Sequence, residues 1–455
     1  MKTNKNIILP VTILLAGDLF FILLGYYLSF YLRYYGHIPA RNLTAFENLL
    51  PYICVATIAI FYCLGLYERR FSPLSFIFKT TILAILSLGF ISTAFAFWSR
   101  DFAFPRSVIL LSFFMQVILL LVWRTSVYLL EKKYGGKRSL LIISGIDSNG
   151  TKKYISDLPS GWFELVGHIN QKEIAKLNRN IGRIDVILLM PELDRNYRND
   201  ISRICMEQGI ELYIAPTIND LLFNKASMLT ISDHPVMRVD MIGLSTIQMV
   251  VKRINDIVVS GLALTLTSPL ILLISLLIKI TSKGEIIYSQ DRVGQNSKMF
   301  KIYKFRTMVS EAESETGPVM AKINDPRITT IGKILRITRL DELPQLVNVL
   351  KGEMSIVGPR PERPYFIDKY SKYITYYHLR HLFKPGITGL AQVMGKYTTT
   401  VEDKVRYDIY YIRNYSLLLD MKIIIQTLPV LLFGESSKGF EDKLYHCNKN
   451  INRKV

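Results

Sequence analysis

Four long apolar runs fill the first 130 residues of this 455-residue chain, and they constrain its fold more than any other feature. Residues 7–32 (IILPVTILLAGDLFFILLGYYLSFYL), 49–67, 76–98 and 107–130 each approach the ~20 residues an α-helix needs to cross a bilayer. Backbone polar groups inside lipid must be satisfied internally, so helices are the expected form. Residues 1–131 are therefore predicted to form a four-helix transmembrane bundle. Asp18, the one acidic residue in the first run, is expected to face the bundle interior, because a charge against hydrocarbon is costly. The first run is too long for a cleaved signal peptide and carries no small-residue cleavage site.

Basic residues in short loops set orientation. Lys2, Lys5, Arg69, Arg70, Lys79, Lys132, Lys133, Lys137 and Arg138 fall on one side of the predicted bundle, and Arg33, Arg41, Arg100 and Arg106 on the other. Nine against four predicts that both ends of the bundle are cytoplasmic, and that the chain after residue 131 begins in the cytoplasm. The four cysteines, at 54, 63, 205 and 447, show neither paired nor metal-binding spacing, so free thiols are expected.

Past the bundle, KKYGGKR (132–138) reads as a polar linker. SLLIIS (139–144), VILLM (186–190) and ELYIAP (211–216) read as buried strands, with helical stretches around 170–180 and 196–208. This alternation predicts a small Rossmann-like α/β domain with a parallel sheet over residues 132–240. The turn SGIDSNG has Gly145 and Gly150 but not the GxGxxG spacing, so it gives no support for a dinucleotide site. A structural or regulatory module is expected instead.

Residues 252–280 (KRINDIVVSGLALTLTSPLILLISLLIKI) are again long and apolar, with Ser268-Pro269 in the middle. Proline removes a helical hydrogen bond and crowds the preceding turn. Lys252 and Arg253 precede the run, and Lys279 and Lys283 follow it. A helix over about 254–280 that enters the membrane, bends at Ser268-Pro269 and leaves on the same side fits both features. A kinked fifth span is the alternative.

The net charge of the chain is +19, and +12 of it lies between Lys252 and Val455. An acidic partner is implied: nucleic acid, anionic lipid or a phosphorylated substrate. In this region RLDELPQL (339–346) sets Asp341 beside Glu342, between Lys304/Arg306 and Arg360/Arg363 in sequence. The simplest reading makes Asp341 a helix N-cap, with Glu342 and Pro344 in the first turn and Gly352 at the end. A carboxylate so placed can also attack phosphorus, while its neighbour holds a metal and the cations neutralise a diphosphate. Arg339 reads as a solvated charge. His378 and His381 read as surface or interfacial residues. The tyrosines at 370, 373, 376, 377, 407, 410, 411 and 415 fit either an interfacial belt or a core.

Three stretches, KFRTM (304–308), RLDELPQLVNVLKGEMSIVGPRPE (339–362) and KPGITGLAQV (384–393), closely resemble the bacterial sugar transferase family, the monotopic polyprenyl-phosphate phosphoglycosyl transferases. The resemblance covers about 250–434, and the four preceding runs plus the α/β domain look like the longer members. It implies a mostly α catalytic domain over 250–455 with a re-entrant membrane helix broken at Ser268-Pro269. It implies a bacterial inner-membrane enzyme, with its catalytic domain on the cytoplasmic face, that primes O-antigen, capsule or exopolysaccharide synthesis. The expected reaction moves a hexose-1-phosphate, glucose or galactose first, from a UDP-sugar to undecaprenyl phosphate. By resemblance, Asp341 is the nucleophile, Glu342 helps bind Mg²⁺ beside it, and Lys304, Arg336 and Arg360 hold phosphates. Arg306, Arg363, Lys384, Thr388 and Gln392 are further candidates for substrate contact. The expected partners are the two substrates and the bilayer, not nucleic acid, and the surface allows a homodimer. Two rivals remain: a polytopic transferase without the covalent step, and a non-catalytic scaffold that binds anionic lipid.

Overall fold

The computed structural model describes residues 9–68, 72–98, 105–134, 137–145, 161–176, 184–282, 284–309, 325–395 and 399–433. Lys2, Lys5, Arg69, Arg70, Arg100, Gly150, Lys283 and Cys447, used in the sequence reading, lie outside them. The chain divides into two compact units, Met1–Thr217 and Ile218–Val455.

The first unit opens with four long helices, α1 (Val11–Tyr34), α2 (Ala40–Cys63), α3 (Leu74–Trp98) and α4 (Arg106–Tyr134). All four are long and apolar enough to cross a membrane. α2 starts nine residues before the predicted run, because ARNLTAFEN is too polar to read as part of an apolar segment. α4 continues through Tyr134, so the first residues of the expected linker are helical. Asp18 is fully buried, as expected, but its partner was not foreseen. Arg124, in α4, donates from both Nε and Nη2 to the Asp18 carboxylate, and Tyr67 donates to it at 2.9 Å. The remaining Arg124 nitrogen donates to the Leu66 carbonyl at 3.2 Å, so each guanidinium nitrogen makes a hydrogen bond.

The same unit carries a four-stranded parallel sheet of β1 (Arg138–Ser144), β2 (Phe163–Asn170), β3 (Val186–Leu189) and β4 (Glu211–Ile214), in the order β2-β1-β3-β4. Helix α5 (Arg195–Gln208) crosses between β3 and β4 and buries Ile201 and Cys205 against Ile143, Ile187 and Leu189. The three predicted strands are present. β2 was missed because FELVGHIN is a half-exposed edge strand containing glycine and charge, which blurs the apolar signal. Of the stretch predicted as helical around 170–180, the described part, Gln171–Lys176, is a short 3₁₀ helix.

In the second unit come α6 (Ile218–Phe223), the hairpin β5 (Ser227–Ile231) and β6 (His234–Arg238), and α7 (Thr246–Thr281). A capping box between Ser245 and Gln248 starts α7, which runs as one helix through Ser268-Pro269 rather than breaking there as expected. The hairpin β7 (Ile287–Val293) and β8 (Met299–Phe305) follows, then α8 (Thr330–Ile337), α9 (Gln345–Lys351) and β9 (Ser355–Val357). The remaining elements are α10 (Pro364–Ser371), β10 (Gly386–Thr388), α11 (Leu390–Met394), α12 (Val401–Arg413) and α13 (Leu417–Phe433). Leu346 and Val349 of α9, Ile356 and Val357 of β9, and Tyr411 and Ile423 form the centre of the main core. α6, inside the stretch assigned to the middle domain, packs Leu221 against Val405 and Ile409 of α12.

Candidate active site

Asp341 and Glu342 sit in a 3₁₀ turn, Leu340–Glu342, just ahead of α9. The expectation that Asp341 caps the helix is corrected here. α9 begins at Gln345, with Pro344 at its N-cap, while Gly352 ends it in the left-handed conformation as expected (φ 86°). The extra turn is set by Arg339, whose own φ of 56° reverses the chain between α8 and the dyad. A non-glycine residue in that conformation carries a backbone cost.

The turn aims the two carboxylates into a group of cations. Lys304, near the end of β8, donates to Glu342 Oε1 at 2.8 Å, and Arg360 donates to the same oxygen at 2.9 Å. Burial works to raise the Glu342 pKa, but Lys304, Arg360 and Arg339 outweigh it and hold the carboxyl well below its usual range. Asp341 moves the other way. Burial raises its pKa, the neighbouring Glu342 charge adds to the rise, and Lys304, Arg336 and Arg360 only partly offset it. Adjacent carboxyls with opposite shifts are suited to different tasks. Glu342 is the fixed anion that gathers the cations, and Asp341 is the more basic oxygen.

Arg336, at the end of α8, is tied by Nε to Thr307 Oγ1 at 2.9 Å, and the Asp341 charge acts on it. Arg339 is half-buried, not solvated as expected. Burial and the Arg360 charge lower its pKa, and both carboxylates act against that shift. Asn348 was missed by the sequence reading although it is central. Fully buried, it donates to the Lys301 carbonyl and to Glu353, and accepts from the Tyr303 amide, locking α9 to β8. A buried asparagine on an apolar helix face was the available signal.

The other candidates lie in the surrounding frame. Arg306 donates to the carbonyl and hydroxyl of Ser282, capping the C-terminal end of α7. Arg363 is the N-cap residue of α10. Thr388 is buried and hydrogen-bonded to Thr427, and Gln392 donates to the Ile387 carbonyl. Lys384 lies near Gly352, its pKa lowered by burial and by Arg253. The KPGITG stretch supports the Arg360 turn: Gly358 donates to Thr388, Gly386 donates to Pro359, and a Cβ on Gly358 would meet the Lys384 carbonyl at 2.3 Å.

His381 is half-buried, and burial together with Arg380 and His378 lowers its pKa to about 4. It is neutral at pH 7, and with Arg360, Arg380 and Phe383 it lines a small cavity. The tyrosines divide between both readings: Tyr377, Tyr411 and Tyr415 are buried, whereas Tyr373, Tyr376 and Tyr410 are exposed.

Two adjacent carboxylates among lysine and arginine side chains make an arrangement chemically suited to binding an anionic substrate and acting on its phosphate. The bacterial sugar transferase family model matches residues 247–434, the stretch that holds every one of these groups. A UDP-N-acetylgalactosamine-undecaprenyl-phosphate N-acetylgalactosaminephosphotransferase of Aeromonas hydrophila is 44% identical over 42% of this chain and 45% of its own length. A UDP-glucose:undecaprenyl-phosphate glucose-1-phosphate transferase of Klebsiella pneumoniae is 47% identical over 41% of each. The matches thus span less than half of these relatives. An uncharacterized sugar transferase of Haemophilus influenzae (strain ATCC 51907 / DSM 11121 / KW20 / Rd) is 29% identical over 90% of this chain and 93% of its own. The chain belongs to the bacterial sugar transferase family.

Proposed function

We propose that this enzyme transfers a hexose-1-phosphate from a UDP-sugar to undecaprenyl phosphate, through a phosphosugar ester on Asp341. The observation that carries this reading is the division of labour in the dyad: Glu342 is engaged by Lys304 and Arg360, while Asp341 is raised in basicity among the same cations. An Asp341 oxygen attacks the sugar-bearing phosphorus in line, and the bond from that phosphorus to the bridging oxygen breaks. The electron pair leaves on UMP. An oxygen of the lipid phosphate then attacks the same phosphorus, breaks its bond to Asp341 and yields the polyprenyl diphospho-sugar. Arg360, Lys304 and Arg336 neutralise the phosphate oxygens as charge builds on them.

Among the described residues no three His, Cys, Asp or Glu side chains are placed to hold a metal. The adjacent carboxylates nevertheless fit Mg²⁺, which commonly takes one or two carboxylates and completes its shell with water and substrate phosphate. Asp341 and Glu342 would hold it, and it would supply further charge neutralisation. Purified protein given a panel of UDP-sugars and undecaprenyl phosphate should release UMP and form lipid-linked sugar with one of them, and chelation of divalent ions should stop it. Absence of product with every sugar overturns the reading.

We also infer that α7 enters and leaves the bilayer on one face, with the catalytic unit on the cytoplasmic side of the inner membrane. Near its N-terminal end α7 contacts α9 and β9, and near its C-terminal end it packs Ile274 and Ile278 against Phe305 and Leu335. A straight crossing would divide these elements of one unit between two aqueous compartments. Pro269 cannot supply the amide for the Thr265 carbonyl, and Ser268 Oγ donates to that carbonyl at 2.8 Å, which eases a bend there. A tag on Val455 should be protected from external protease in sealed right-side-out vesicles. Cleavage without permeabilisation contradicts this topology.

A further inference from the structure

The first turns of α7 hold more than a membrane segment. Arg253 donates from Nη1 to the Val349 carbonyl at 2.6 Å and from Nη2 to the Leu350 carbonyl at 2.7 Å. These carbonyls belong to the last turn of α9, whose N-terminal end follows the dyad, and the Val349 carbonyl also accepts from the Gly352 amide. One turn further, Asp256 Oδ1 accepts from Ser355 Oγ and from the Ile356 amide, both at 2.9 Å. Ile356 lies in β9, four residues before Arg360. Lys252 completes the contact, donating to Asp420 at 2.6 Å and to Tyr411 at 3.1 Å, while Tyr411 donates to Asp420. Lys252, Asp256 and Asp420 are each at least 95% buried, so none of these charges is solvated.

Solvent-exposed contacts of this kind would contribute little, but buried charges that satisfy backbone groups fix geometry. Two of these α7 side chains reach elements next to the active-site groups: the part-buried Arg253 holds the helix that follows Asp341-Glu342, and the buried Asp256 holds the strand that leads to Arg360. Nothing in the proposed chemistry uses them, since none touches the dyad.

We propose that Asp256 is a positioning residue for transfer: it holds β9 against the membrane helix so that Arg360 meets Glu342 and the phosphate that Asp341 attacks. The inference rests on the reading of the dyad as the catalytic centre. The membrane helix is thereby the rigid reference for two parts of the site, the helix that follows the dyad and the strand that leads to Arg360.

The test is a double-mutant cycle in the full-length protein, following UMP release from the UDP-sugar that wild type accepts. Asp256→Ala should lower kcat roughly tenfold or more, since a displacement of about 1 Å can cost that much, with a smaller change in KM. Asp256→Asn, which keeps the accepting Oδ1, should restore most of the rate. Arg360→Ala should make Asp256→Ala nearly silent, because Asp256 acts through Arg360. Additive losses in the double variant, or equal losses in the Ala and Asn variants, overturn the positioning role and leave a structural one. A wild-type rate in Asp256→Ala overturns it outright. Wild-type protein without turnover would instead defeat the proposed function, so the two failures are distinguishable.

Discussion

Asp341→Asn is expected to abolish transfer, with UMP release reduced by at least about a thousandfold, because the amide cannot form the ester to phosphorus. Asn is nearly isosteric, so the 3₁₀ turn and the Glu342 contacts should remain, and thermal stability in detergent should not fall. It should even rise slightly at neutral pH, because burial and the Glu342 charge penalise the ionised Asp341 carboxylate in the folded protein. The decisive readout is radiolabel. Wild-type enzyme, incubated with UDP-sugar labelled in the sugar and quenched before the lipid is added, should carry label on the polypeptide, whereas the variant should carry none. Turnover by Asp341→Asn at the wild-type rate would remove the nucleophile from the account and favour direct transfer between the two substrates.

The second large effect is expected at Lys304. Its ammonium group is hydrogen-bonded to Glu342 and is also the largest opposing influence on the raised Asp341 pKa. Lys304→Met removes a cation proposed to bind phosphate and should lower kcat/KM by roughly a hundredfold or more, the scale seen when one preorganised electrostatic contact is lost. The same change alters the pH profile in a defined direction. The proposed nucleophile must be ionised, so kcat/KM should fall on the acid side as pH drops through the Asp341 pKa, which burial raises above the ordinary aspartate value. Removing Lys304 takes away a charge that favours the ionised form, so the pKa rises further and the acid limb moves to higher pH. A limb that stays in place while the rate collapses would show that Lys304 acts on the substrate alone and that Asp341 is not the titrating group.

Much of this site is legible in the sequence because its parts are local. The dyad, Lys304 and Arg360 stand in short motifs with turn residues around them, and the structure brings these together. What was not legible depends on contacts across the chain. Arg253 and Lys252 look like charges flanking a membrane helix, yet one caps a helix 96 residues away and the other pairs with Asp420 in the core. Arg339 reads as exposed because nothing local announces the chain reversal that half-buries it. Asp341 was placed at a helix cap because an acidic residue ahead of proline fits that role. The observed 3₁₀ turn follows from the left-handed Arg339 and from α9 beginning only after Pro344.

The bundle is read with the same limits. Its four helices follow from apolar length alone, and the interior position of Asp18 follows from the cost of charge in lipid. Arg124 escaped notice inside LVWRTSVYLL because the segment around it is apolar enough to span with one charge included.

That pairing bears on biogenesis. Asp18 is synthesised 106 residues ahead of the guanidinium that neutralises it. A lone aspartate at mid-helix disfavours insertion by about 3 kcal/mol. Its charge is therefore compensated only after α4 has been made, which couples the packing of the first helix to that of the fourth.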